Sequence, residues 1–238
     1  MSKRFQELDR QMTPMGEISV RRRFHPTLEV DVWEVILGNE HLMSSLFTAA
    51  EIALADLGLA ALTATDLDVV VGGLGLGYTA RAVLADPRVR SLHVVEALGA
   101  VIDWHERDVL PDARLLTEDP RCHFVHGDFF AMVAGGEAFG EAPGHLDAIL
   151  VDIDHTPSHV LDPSHSAFYT AEGLSRLGER LRPGGVFALW SDDPPDADFV
   201  AVLDQVFAES DAHLVTFANP ITGGEAANSV YVARTSSG

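Results

Sequence analysis

The stretch Asp68-Val69-Val70-Val71-Gly72-Gly73-Leu74-Gly75-Leu76-Gly77-Tyr78-Thr79 constrains this chain more than any other part. An apolar run that ends in glycines and opens a helical pattern reads as a buried strand turning sharply into a helix. Gly73, Gly75 and Gly77 form a G-x-G-x-G series. Without Cβ atoms, such a loop lets backbone approach a ligand closely, and helix N-terminal amides then face it. The spacing departs from the dinucleotide fingerprint, because Tyr78 stands where the last glycine would fall counted from Gly73. Gly75-x-Gly77-x-x-Ala80 keeps a nicotinamide reading open, and a tight turn with no ligand is the plain structural alternative.

From this loop onward, strand and helix patterns alternate. Strands are expected near 68–72, 91–96, 122–126, 146–152, 185–190, 212–218 and 228–234. Helices are expected near 77–86, 99–108, 127–134, 166–181 and 196–209. Continuous apolar cores such as Ile149-Leu150-Val151 suit strands covered on both faces. The pattern predicts an α/β fold with a doubly wound, mostly parallel, seven-stranded sheet, its last two strands antiparallel. Ahead of it, 17–23 and 28–37 alternate as a small β-hairpin, and 43–57 shows helical periodicity. Residues 1–15 read as loosely ordered. The expected division is an N-terminal tail and hairpin over 1–40 and a Rossmann-like domain over 41–238.

The 238 residues carry a net charge of −20, from 36 acidic and 16 basic side chains. That field repels nucleic acid and anionic membranes and favours a cationic or neutral small molecule, although it also simply keeps a surface soluble. Lys3, Arg4, Arg10 and Arg21-Arg22-Arg23 make the N-terminus the one basic region, either a solvated strand face or a site for an anion or partner surface. A single cysteine, Cys122, excludes an intrachain disulfide framework, and no apolar run suits a membrane span or secretory signal. A cytoplasmic setting is the expectation.

In open parallel sheets, ligands bind beyond the carboxyl ends of the strands. Those ends carry Gly73–Gly77, then Glu96, then Asp128, then Asp152 with Asp154, then Ser191-Asp192-Asp193. Glu96 lies about 20 residues past the glycine loop, the distance at which an acid accepts from ribose hydroxyls. Asp128 suits an adenine amino group with Phe129 packed on the ring, and equally suits a helix N-cap. Asp152 closes a strongly apolar strand, where a charge is costly unless paired or used. Asp152, Asp154, His155, His159 and His165 have no recognised ligand spacing, so no metal is expected. Hydrolase and phosphoryl-transfer motifs are absent.

Taken with Leu181-Arg182-Pro183-Gly184-Gly185-Val186, the glycine loop, Glu96 and Gly127-Asp128 resemble the S-adenosylmethionine-dependent methyltransferase fold. The N-terminal hairpin, the strand ending at Asp152 and Phe168-Tyr169 are similar to its spermidine synthase branch. The likeness covers roughly 16–234. It implies S-adenosylmethionine or its decarboxylated form as cofactor, with Gly73, Gly75 and Gly77 cradling the donor chain. Glu96 would hold ribose, Asp128 and Phe129 adenine, and Asp152 with Asp154 would act on the acceptor amine. A homodimer is implied too.

The chain departs from the aminopropyltransferase pattern in three places. The acid of the Gly-Gly-Gly-Asp-Gly loop falls on Leu76, the Tyr-His-Glu element on Met43-Ser44-Ser45, and the second Asp of Asp-x-x-Asp-Pro on His155. These departures make a methyltransferase acting on a small, amine-containing acceptor the leading expectation. Polyamine aminopropyl transfer is the alternative, and a non-catalytic binding module on the same fold is the second.

Overall fold

The computed structural model describes residues 5–238. Four antiparallel strands come first: β1 (Phe5–Thr13), β2 (Gly16–His25), β3 (Val30–Leu37) and β4 (Glu40–Ser44), in that spatial order. The expected hairpin is the β2–β3 pair, and residues read as loosely ordered supply β1. The structure also corrects the expected helix over 43–57. Met43 pairs with Val35 and Ser44 with Glu34, so this segment ends the small sheet, and helix α1 runs over Ala49–Ala60. The short β4 had merged into the helical spacing of the residues that follow. The small sheet therefore extends past residue 40.

The remainder runs β5 (Leu67–Gly72), α2 (Tyr78–Ala85), β6 (Val89–Glu96), α3 (Gly99–Glu106), α4 (Arg114–Thr117), β7 (Cys122–His126), α5 (Phe129–Gly135) and β8 (Leu146–Val151). A short 3₁₀ turn (Pro163–Ala167) precedes α6 (Ala171–Gly178), β9 (Leu181–Ser191), α7 (Ala197–Leu203), β10 (Glu209–Asn219) and β11 (Gly224–Arg234). The expected helix over 166–181 is thus broken, with Thr170 capping α6 by accepting from the Gly173 amide.

The large sheet has the order β10-β11-β9-β8-β5-β6-β7. Its central pairs are parallel, and β11 runs antiparallel to both β9 and β10. Every residue of β5 is buried. Alternation sends Val69 and Val71 into the core beneath α1, α2 and α3, and Val70 into the core beneath α5, α6 and α7. Ile18, Val20 and Val35 join the first core, so the small sheet packs onto the same face.

The basic N-terminal region is largely self-paired. Arg21 and Arg23 both bond Glu34, Arg22 bonds Asp31, and Arg10 bonds Glu7 and Glu17. Lys3 and Arg4 lie outside the described residues. No helix among the described residues is long and apolar enough to cross a membrane.

At the opposite end of the sheet from the glycine loop, Asp68 is buried. Burial opposes its ionisation, yet hydrogen bonds from Arg90, Ser91 and Arg182 hold its carboxyl below the usual value. Removing one partner of a buried ion network strands the remaining charges, so Asp68→Ala should cost about 3 kcal/mol in urea unfolding. A loss under about 1 kcal/mol would mean the arginines find other partners.

Candidate active site

Backbone crossing at the carboxyl ends of β5 and β8 builds the site. The Asp152 amide donates to the Gly72 carbonyl at 2.8 Å, and the Gly73 amide to Val95 at 2.9 Å. Gly73 has φ +95°, and a Cβ there would stand 2.1 Å from the Asp152 carbonyl oxygen. Only glycine fits. Gly77, at the N-cap of α2 with φ +83°, is required by packing against Leu116 and His105. Gly75 has φ +47° and lines the cavity with the Met43 side chain packed over it.

The cavity, of about 210 Å³, sits over these strand ends. Gly73, Gly75, Glu96, Asp128, Phe129 and Asp152 all line it, together with side chains of the small sheet such as Val35, Leu42 and Met43. Gly77 lies beside it, in a small recess with Glu51. Glu96 ties two loops together: its Oε2 accepts from the Leu74 amide at 3.0 Å and its Oε1 from the Leu98 amide at 2.8 Å. Burial nonetheless pushes its carboxyl above the ordinary value, against the pull of these amides. Asp128 caps α5, accepting from the Ala131 amide at 3.0 Å. Phe129 is packed beneath Gly72 and stacked on Phe139, so its ring is mostly core.

Asp152 accepts from the Thr79 hydroxyl at 2.6 Å. Burial raises its pKa to about 6. Burial, and then the neighbouring Asp152 charge, raise Glu51 to about 8. Between those values the pair holds one proton between two carboxyls. Asp154 lies elsewhere: it is buried away from the cavity lining, accepting from the Leu161 amide, the Tyr169 hydroxyl and His165 Nδ1. It ties Leu161, His165 and Tyr169 together in the segment that returns over the cavity. His155 bonds Glu40 of β4 at 2.9 Å. No three His, Cys, Asp or Glu side chains among the described residues converge as metal ligands.

Two residues beside the cavity, Glu51 and His105, escaped the sequence reading. Glu51, in the first turn of α1, shares the recess beside the cavity with Asp152. Leu76 is buried in the core, and the cavity wall beside it is Gly75. His105, fully buried, holds the Gly75 carbonyl from Nε2 at 2.9 Å, and burial lowers its pKa to about 4, which keeps it a neutral donor. Only the apolar spacing of their helices marked Glu51 and His105 as inward-facing.

No protein-family model matches the chain. Polyamine aminopropyltransferase 2 of Pseudomonas aeruginosa is 29% identical over 160 residues, 63% of this chain and 42% of the relative. Putrescine N-methyltransferase 1 of Nicotiana tabacum is 31% identical over 118 residues, 50% of this chain and 28% of the relative. The matches thus span less than half the length of these curated relatives. Spermidine synthase in complex with the transition-state analogue AdoDATO superposes with a TM-score of 0.74 at 19% identity, covering 98% of this chain and 75% of that one. The fold is that of spermidine synthase. The Thermotoga maritima spermidine synthase gives a TM-score of 0.73 at 20% identity, covering 98% of this chain and 74% of that one. The spermidine synthase fold carries the small antiparallel sheet here as four strands, larger than the expected hairpin.

The raised Glu51 carboxyl has a consequence for stability. Unfolded, Glu51 titrates near 4.5; folded, near 8. Between those values the native state binds more protons, so stability falls as pH rises through that window. Glu51→Gln removes the linkage. Its Tm should fall less than that of the wild type between about pH 5 and pH 8. Parallel Tm curves would contradict the assignment.

Proposed function

We propose that this chain is a transferase moving an aminopropyl group from decarboxylated S-adenosylmethionine to a small amine. The reading reverses the order expected from sequence, which put methyl transfer first. One observation carries it: the cavity is lined by Glu96, Asp128, Asp152 and Asp162, with no lysine or arginine among the described residues lining it. A donor bearing a carboxylate would find no counter-charge there, whereas amines and a sulfonium are matched. The similarity to polyamine aminopropyltransferases supports the same choice.

In this reading Glu96, held in place by two backbone amides, receives ribose hydroxyls, and Asp128 receives the adenine edge. When bound, the sulfonium donor supplies an electrophilic carbon. Asp152 orients the acceptor amine and takes its proton; a carboxyl near 6 is ionised at neutral pH yet basic enough for the transfer. Thr79 holds the Asp152 carboxylate in position. Asp154, proposed from sequence as a second catalytic acid, becomes a support for the covering segment.

Methyl transfer is the second reading, favoured by the likeness to putrescine N-methyltransferases. Incubation with putrescine and related diamines, with each donor in turn, separates the two by product mass. Aminopropylated amine is the expected product. Methylated amine alone would establish the second reading, and no product with either donor would remove both. Asp152→Asn should lower kcat by about 10²-fold or more, with donor KM little changed.

A further inference from the structure

We infer that Met43 sets donor specificity by closing the chain end of the cavity against a carboxylate. The inference rests on the adenosyl reading above. The cavity runs from Asp128, Phe129 and Phe130 past Glu96 to Gly75, Met43 and Asp152. With adenosine at the first end, the donor chain reaches the second. There the wall is not built by the large sheet. Met43 comes from β4, paired with Val35, and reaches across to the glycine loop. Its thioether fills the space above Gly75: a Cβ at that glycine would lie 2.2 Å from Met43 Cε and 2.6 Å from Sδ. Met43 Sδ also accepts from the Leu76 amide at 3.0 Å, which docks the side chain on the loop.

The chemistry of this wall discriminates. A thioether offers a weak acceptor and no donor, so it gives a carboxylate no hydrogen bond. Beside it lie Asp152 and, behind it in the recess, Glu51, a pair that shares one proton and so carries one negative charge near neutral pH, which repels a carboxylate and attracts an ammonium. Desolvating an unpaired carboxylate at this point is costly, while a chain ending in an ammonium alone finds its counter-charge. Gly75 and Met43 thus act as one unit, in which the missing side chain of the first makes room for the second.

Calorimetric titration with three adenosyl ligands tests this. They are 5′-methylthioadenosine, with no charged chain, decarboxylated S-adenosylmethionine and S-adenosylmethionine. The wild type should bind the decarboxylated ligand roughly tenfold or more tighter than S-adenosylmethionine, and Met43→Leu should keep that ratio. Met43→Lys, which places a cation against the chain end, should shift the ratio toward S-adenosylmethionine by roughly tenfold or more. Methylthioadenosine should bind all three proteins within about threefold, which reports an intact fold and adenosine site. An unshifted ratio in Met43→Lys with methylthioadenosine still bound would overturn the role of Met43 and leave the adenosyl reading standing. Should Met43→Lys lose methylthioadenosine, the neutral donor of Met43→Gln decides: a ratio narrowed by about threefold supports the inference, and an unchanged one overturns it. Failure of all three ligands to bind the wild type would remove the adenosyl reading and this inference together.

Discussion

The close crossing of Gly73 over the Asp152 backbone is the constraint on which the rest of the site depends. It fixes the carboxyl ends of two neighbouring parallel strands within one van der Waals contact. From that crossing the glycine loop leaves in one direction and Asp152 in the other, with Thr79 bridging back to hold the carboxylate. Glu96, one strand over, clamps the Leu74 amide and so fixes the loop from its far side. His105 holds the Gly75 carbonyl from beneath. The loop is therefore held from three sides by the protein's own hydrogen bonds.

Charge follows from the same geometry. Parallel strands end together, so acids at successive strand ends converge over one cavity. Burial raises the proton affinity of Asp152, and burial together with the Asp152 charge raises that of Glu51 on the neighbouring α1. A cationic ligand relieves both the repulsion and the desolvation. The acidic character of the whole chain adds long-range attraction of the same sign.

Much of this was legible from residues alone. The apolar runs and glycine loop implied the parallel sheet, because only strands covered on both faces read as continuous hydrophobic segments. Gly73, Gly75, Glu96, Asp128 and Asp152 stand out on following strand ends, and all five line one cavity. What stayed hidden depended on tertiary approach. Asp154 looks like a partner of Asp152 in sequence, yet the chain turns between them and sends Asp154 to His165 and Tyr169. Leu76 looked decisive because an alignment placed it opposite an acid, whereas the backbone presents Gly75 to the cavity. Glu51 and Met43 come from a helix and a strand whose relation to the loop no local pattern encodes.

The central claim is that an adenosyl donor lies across these strand ends, with its chain pointing at Met43. The crystal structure of the protein soaked with decarboxylated S-adenosylmethionine measures this directly. The account predicts ribose hydroxyls on Glu96, the purine beside Asp128, and the chain ending between Asp152 and Met43. Density for the purine elsewhere, or a chain directed away from Gly75, would contradict it.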